Sequence, residues 1–501
     1  MELNGNQIDL DTLQRVANGN EAATLSSDAR GRMAASRAAV EQIVAEGRTV
    51  YGVNTGFGKL SDIHIEPSQL QQLQLNLVRS HACGIGNPLS IPETRAMMLL
   101  RANVLSLGFS GARPEVAELL LAMLEKGITP IVPERGSVGA SGDLAPLAHL
   151  ALALIGEGDV IFEGIETSSR WALERCGLTP LVLEVKEGLA LLNGTQAMGA
   201  VGGLAIARSM DFVDTANVAG AMSLEALMGT PAAFDPRIHE GRPHPGQIEV
   251  AAQLCRLMEG SEIRESHRTG DPRVQDAYCL RCMPQVHGAV KDALRHAREV
   301  VERESASATD NPLVFVETGE VISGGNFHGA PLAYVFDYAA IALCDLGAMI
   351  ERRIDRLVNP DLNEGLPPFL APHAGVSSGM MMAQVTAAAV LNECRVLAHP
   401  ASSDNTPTSG GKEDHVSMGM TAALKLRRMV DNLEILVAIE LMAAAQGLEY
   451  RKPLRPAPRI QSAHDSVRMI VTALEEDRPL GGEIERLAAA VRAGLFLSGQ
   501  T

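Results

Sequence analysis

The residues best suited to unusual chemistry lie in the run Gly136-Ser137-Val138-Gly139-Ala140-Ser141-Gly142-Asp143-Leu144-Ala145-Pro146-Leu147. Its centre, Ala140-Ser141-Gly142, has the residue types a peptide needs to cyclise on itself. Attack of the Gly142 amide nitrogen on the Ala140 carbonyl carbon closes a five-membered ring. Loss of water from the ring, and of the Ser141 hydroxyl, leaves an exocyclic methylidene, an electrophile that standard side chains lack. Gly142 has no Cβ, so its backbone can reach the geometry of attack. Ala140 is too small to screen its own carbonyl, and Ser141 brings a β-hydroxyl that can be eliminated. The same run also reads as a glycine-rich helix start, with Asp143 as N-cap or first-turn acid and Pro146 in the first turn. Taken alone, so short a motif favours that second reading.

Five further blocks change the balance. They are Tyr51-Gly52-Val53-Asn54-Thr55-Gly56-Phe57-Gly58, Leu191-Leu192-Asn193-Gly194-Thr195-Gln196, Val274-Gln275-Asp276-Ala277-Tyr278-Cys279-Leu280-Arg281-Cys282, Gly324-Gly325-Asn326-Phe327-His328 and Glu413-Asp414-His415-Val416-Ser417-Met418. In this order, and spread over most of the chain, the six blocks resemble the histidine and aromatic amino-acid ammonia-lyase family. In that family the tripeptide becomes a 4-methylideneimidazole-5-one (MIO). The resemblance implies an MIO formed from Ala140, Ser141 and Gly142, with no external cofactor and no metal. It implies a mainly α fold, in which an N-terminal MIO-bearing region of shorter elements (1–200) joins a long-helix bundle with C-terminal helices (201–501) in one continuous structural unit. It also implies a homotetramer with active sites shared between subunits.

The implied reaction eliminates ammonia across the Cα–Cβ bond of an amino acid. The β-proton is weakly acidic and the amino group leaves poorly, so an electrophile and a base are both needed. Tyr51 matches the family's base. A phenol of pKa ~10 is ionised in only about one molecule per thousand at pH 7, and full ionisation there costs ~4 kcal/mol. The site must therefore supply positive potential, of the kind helix N-termini provide. Gly52, Gly56 and Gly58 would let the Tyr51 loop close over substrate. Arg281 matches the family's carboxylate clamp, for which a planar guanidinium is suited. Asn193 and Gln275 are expected to hydrogen-bond the substrate's carboxylate or amine end, or to polarise the MIO carbonyl. Tyr278, as a catalytic residue, and Phe327 are expected beside the MIO, with core packing a rival reading for Phe327. Asn311 and Asn326 read equally well as turn residues.

Two features point to histidine as substrate, giving trans-urocanate and ammonia in the first step of histidine degradation. Ser80-His81 stands where phenylalanine and tyrosine lyases resemble one another with Phe-Leu or His-Leu. Glu413 stands where members acting on aromatic substrates carry Gln. A carboxylate suits an imidazole, which donates N–H or becomes charged near pH 6.5; buried against a phenyl ring it would be penalised. Helix-end and core roles are the plainer readings of Glu413 and His81. An aromatic lyase or a 2,3-aminomutase of the same family is the alternative function. A helical scaffold without catalysis is the alternative of a different class, and retention of the tripeptide, Tyr51 and Arg281 argues against it. The chain departs from the family pattern at Lys412, a competing charge beside Glu413, and at Ala277 and Cys279, which replace the common Pro and Ser.

Rigid elements must hold these groups in place. Hydrophobic residues make up 46% of the 501 and aromatics only 3%, so Leu, Ala, Val and Met must fill a core that suits helix against helix. Residues 30–46 read as a helix, and Pro114–Lys126 reads as one opened by proline and closed by Gly127. Three long segments, 285 to about 307, 329 to about 358 and 415 to about 446, are poor in internal glycine and proline and predict a central bundle. The loops between them, at 51–58, 136–142, 309–312, 324–327 and 400–411, hold most of the blocks. A net charge of −17 disfavours nucleic acid and anionic membrane surfaces as partners, and the small-molecule amino-acid partner is what the resemblance implies. Of seven cysteines only Cys279 and Cys282 lie close together, so free thiols in a reducing compartment are expected instead of a zinc site. The N-terminus has no signal-peptide pattern. The apolar stretches fall short of the ~20 residues that span a bilayer. A cytoplasmic location is the resulting expectation.

Overall fold

The computed structural model describes residues 1–56 and 65–497, so Phe57 and Gly58 of the Tyr51 block lie outside the described residues. The chain is mainly helical, as its composition leads one to expect, and its strands are two to four residues long. It forms two compact units. The first comprises Met1–Ala207, Ala297–Asp337 and Pro400–Leu424; the second comprises Arg208–His296, Tyr338–His399 and the chain from Lys425.

In the first unit, capping fixes where helices begin. Ser26 Oγ accepts from the Ala29 amide to open Ser27–Ala45. Ser90 and Glu93 form a reciprocal capping box at the start of Ile91–Ser106. Pro114–Lys126 runs between the predicted residues, with Gly127 as its C-cap. The strand Pro133–Arg135 pairs antiparallel with Ile85–Pro88 and delivers the chain into the reactive loop, which ends at the helix Leu144–Leu154. Val53, two residues beyond Tyr51, is buried with Val40, Ile43 and Val314. Burial of one such side chain contributes about 1.5–3 kcal/mol, enough to pin the Tyr51 loop to its unit.

Of the three predicted long helices, Met283–Glu304 and Ala330–Val358 run close to their expected spans. The third, Gly419–Glu449, starts four residues later than 415. Residues 415–418 are drawn away from the helix by other partners: Val416 bonds Asn405, and the Met418 amide donates to Val138 O at 2.9 Å. A further long helix, Gln196–Ala226, was hidden by its internal glycines. Gly202 is needed there, because a Cβ at that position would lie inside the Phe336 ring.

Helix Ala330–Val358 is long and apolar enough, by length and composition, to cross a membrane, which the expectation of short apolar stretches did not foresee. Leu332, Phe336, Leu343, Leu346, Ile350 and Ile354 are all fully buried, at the three- and four-residue spacing of a core-facing stripe.

The second unit has a polar core. Arg353 and Glu440 are fully buried and paired at 2.5 Å, and Ser223 donates to the same carboxylate at 2.7 Å. His287 Nδ1 contacts Asn217 Oδ1 at 2.6 Å, and its Nε2 lies 3.2 Å from Arg353 Nη1. Burial, then the adjacent Arg353 charge, holds His287 well below its ordinary pKa. A neutral ring with Nδ1 protonated satisfies both contacts.

Candidate active site

The reactive loop is held from both sides. Gly142 has φ +72°, and a Cβ there would fall within the Gly194 backbone, so only glycine fits. The Asp143 amide donates to Gly194 O at 2.7 Å. On the other side Ser417 Oγ donates to Gly139 O at 3.1 Å, which adds to the Met418–Val138 bond. Ser141 Oγ, the hydroxyl that elimination would remove, donates to Glu413 Oε1 at 3.0 Å. The other oxygen of Glu413 accepts from Thr408 Oγ1 at 2.8 Å, and the Thr408 amide donates to Glu413 O at 2.8 Å. Among the described residues Glu413 is thus set by Ser141 and Thr408, while Lys412 is exposed.

Asp143 stands at the N-cap position of Leu144–Leu154, but its side chain does not cap that helix. It turns inward, accepting from Ser137 Oγ at 2.7 Å and from the Met198 amide at 2.8 Å. Burial pushes its carboxyl up to about 6, against the pull of those hydrogen bonds. A raised acid pKa favours the folded state below pH ~4, and that advantage is lost as pH rises through about 6, a swing on the order of 3 kcal/mol. Asp143→Asn should remove this swing. Urea denaturation of both proteins at pH 4.5 and 7.5 should show the difference, and identical pH responses would exclude Asp143 as its source.

Asn193 ends the short helix Glu187–Leu192. Among the described residues its Oδ1 is buried without a partner, an acceptor left available to a ligand. Beside it lies Arg101, a residue the motifs did not single out. Its guanidinium donates to Asn193 O at 2.5 Å, to Gln196 Oε1 at 2.6 Å and to Ala190 O. The signal was present in the sequence: Arg101 sits in Met97-Met98-Leu99-Leu100-Arg101-Ala102, a helix with no polar face to take it to water. Ser417 lies in the Glu413 block without a role assigned to it there, and Thr408 carried no comparable signal.

The structure places Tyr51, half-buried, in a turn braced by Asn54, whose side chain accepts from the Val50 amide at 2.8 Å and donates to Arg48 O at 2.8 Å. Phe327 is also half-buried. Asn311 Oδ1 accepts from the Gly324 amide at 2.7 Å, and Asn326 donates to Ala308 O at 3.2 Å, so both asparagines brace the Phe327 loop as turn residues. His81 is the last residue of Leu70–His81, with Nδ1 2.8 Å from Leu77 O. If Nδ1 carries the proton, Nε2 is left as an acceptor.

Gln275, Tyr278 and Arg281 belong to the second unit. Tyr278 is 70% exposed, and the Arg281 guanidinium lies 4.6 Å from its ring centroid. Among the described residues Arg281 Nε is buried without a partner. Gln275 is exposed, while its neighbour Asp276 is buried and ties the loop down by accepting from the Thr230 amide at 2.7 Å. Arg353 Nη1 reaches Cys279 O at 3.4 Å, linking this turn to the polar core.

A family model for aromatic amino acid lyases matches residues 8–469, most of the chain. The chain belongs to the aromatic amino acid lyase family. Within the aromatic amino acid lyases, it is 52% identical over 506 residues to a histidine ammonia-lyase of Koribacter versatilis (strain Ellin345), covering 99% of this chain and 98% of that protein. The crystal structure of histidine ammonia-lyase from Trypanosoma cruzi superposes with a TM-score of 0.92 at 40% identity, covering 100% of this chain and 94% of that one. Tyrosine aminomutase from Streptomyces globisporus gives 0.95 at 37% identity, covering 99% and 97%. One aromatic amino acid lyase fold therefore serves both lyases and aminomutases, and individual side chains must separate them.

Proposed function

We propose that the chain is a carbon–nitrogen lyase that converts L-histidine to trans-urocanate and ammonia in the cytoplasm, using an MIO made from Ala140, Ser141 and Gly142. The observation that carries the choice of histidine is the Glu413 carboxylate, 3.0 Å from the Ser141 hydroxyl. Ser141 Oγ is attached to the carbon that becomes the methylidene. A carboxylate beside that carbon meets the side chain of the bound amino acid. An imidazole N–H satisfies it, whereas a phenyl ring leaves it desolvated and unpaired.

The residues present fit an MIO, because the position that supplies the attacking nitrogen, at φ +72° against the Gly194 backbone, has room only for glycine. Once formed, the MIO supplies the electrophilic carbon that activates the substrate amine. Tyr51 takes the β-proton. Arg281 binds the carboxylate, with its unpartnered Nε as one donor. Asn193 Oδ1 accepts from the amine end, and Gln275 assists at the same end of the substrate. Glu413 and His81 face the imidazole, while Phe327 and Tyr278 shape the pocket. The exposed Tyr278 and Val274 support a homotetramer in which neighbouring subunits share sites.

Separate incubation with histidine, tyrosine and phenylalanine tests this. Histidine should yield urocanate and free ammonia, with little turnover of the other two. A β-amino acid from tyrosine or phenylalanine, with no urocanate from histidine, would support the aminomutase reading instead.

A further inference from the structure

We propose that Arg101 is a positioning residue for the self-cyclisation of Ala140-Ser141-Gly142, holding the Asn193–Gly194 turn against which the Gly142 backbone is set. This rests on the cyclisation proposed above and concerns a residue outside the reacting tripeptide.

Arg101 and Ala190 are fully buried, and Asn193, the other residue whose main-chain carbonyl it holds, is buried as well. The acceptors of its guanidinium, Ala190 O, Asn193 O and Gln196 Oε1, all lie in one seven-residue stretch, and none is a carboxylate. The buried anion that senses its charge is Asp310, which pairs with Lys186 at 3.3 Å. Burial lowers the Arg101 pKa to about 10, which leaves it charged at neutral pH. A buried cation hydrogen-bonded to neutral acceptors is an expensive way to fill space, and an apolar side chain would serve packing alone better. What the charge achieves is fixation of the turn.

The next residue along that turn is Gly194. Its carbonyl accepts from the Asp143 amide, and it forms a bridge with Gly142. Arg101 crowds the same residue, since a Cβ at Gly194 would lie 2.5 Å from Nη1. The hold extends further, because Gln196 Nε2 donates to Thr309 Oγ1 at 2.8 Å. Nearby, Pro312 packs under Gly52, next to Tyr51.

In the cyclisation, Gly142 N bonds to Ala140 C and the Gly142 proton passes to the Ala140 oxygen. That oxygen leaves as water with the Ser141 amide proton. A second water takes the Ser141 Cα proton and the Ser141 hydroxyl. The first bond forms only if the Gly142 nitrogen is held close to the Ala140 carbon, which is the geometry the Gly194 turn sets.

The test follows intact mass over time in freshly purified full-length protein, where maturation appears as the loss of two waters. Folded Arg101→Lys should mature about 10-fold slower, because one ammonium cannot span all three acceptors. Folded Arg101→Met should be slowed about 100-fold. Leu105→Ala, a cavity variant in the same helix, should melt earlier yet mature at the wild-type rate. If Arg101→Met does not fold, Arg101→Lys decides the matter. A folded Arg101 variant that matures at the wild-type rate overturns the proposal, as does equal slowing in Leu105→Ala. A wild-type chain that never loses two waters overturns the cyclisation reading itself.

Discussion

Ser141→Ala should leave a folded protein whose histidine turnover falls on the order of 100,000-fold, the scale seen when an enzyme loses its covalent group. The fold has little reason to fail. Before maturation Glu413 loses the Ser141 donor but keeps Thr408, a net change of about 1 kcal/mol, and the matured parent has given up that hydroxyl as well. The chemistry has every reason to fail, because alanine has no β-hydroxyl and cannot become a methylidene. Intact mass makes the result specific: the variant can lose at most one water, from ring closure, where the parent loses two. Activity within tenfold of the parent would mean that Ser141 is not the reacting carbon.

Tyr51→Phe removes a single oxygen and should lower turnover by about 100- to 10,000-fold, the range for loss of a general base. The loop should stay in place, because its anchor is Val53 packed on Val40, Ile43 and Val314, and Asn54 braces it. The mass should still fall by two waters, which separates this variant from Ser141→Ala. Proton abstraction is a transition-state event, so kcat should fall while KM changes little. Undiminished kcat would remove Tyr51 from the mechanism.

Much of the fold is legible in the sequence, for physical reasons that differ by residue. Pro114–Lys126 could be read to the residue because proline and Gly127 mark its ends. The helix Gln196–Ala226 could not, because glycine inside a helix looks like a break until its partner is known. At Gly202 that partner is the Phe336 ring, more than a hundred residues away. The start of Gly419–Glu449 was misjudged for a related reason: residues 415–418 spend their hydrogen bonds on Asn405 and on the reactive loop. Asp143 has the look of a cap and is instead a buried brace for residues 137 and 198. Ser141 and Glu413 each stand in a motif, yet the second donor to the Glu413 carboxylate is Thr408, a residue with no motif.

The bond from Ser417 to Gly139 joins residues 278 positions apart. A ribosome adding roughly 5–20 residues per second needs about 14–56 s to travel from one to the other. During that interval the tripeptide exists, but the hydrogen-bond partners of residues 138 and 139 have not yet been synthesised. If the cyclisation proposed above needs this brace, a chain terminated before residue 417 carries an unreacted peptide. An electrophile made only after the loop is braced in this way would be kept from the thiols and amines of half-made protein.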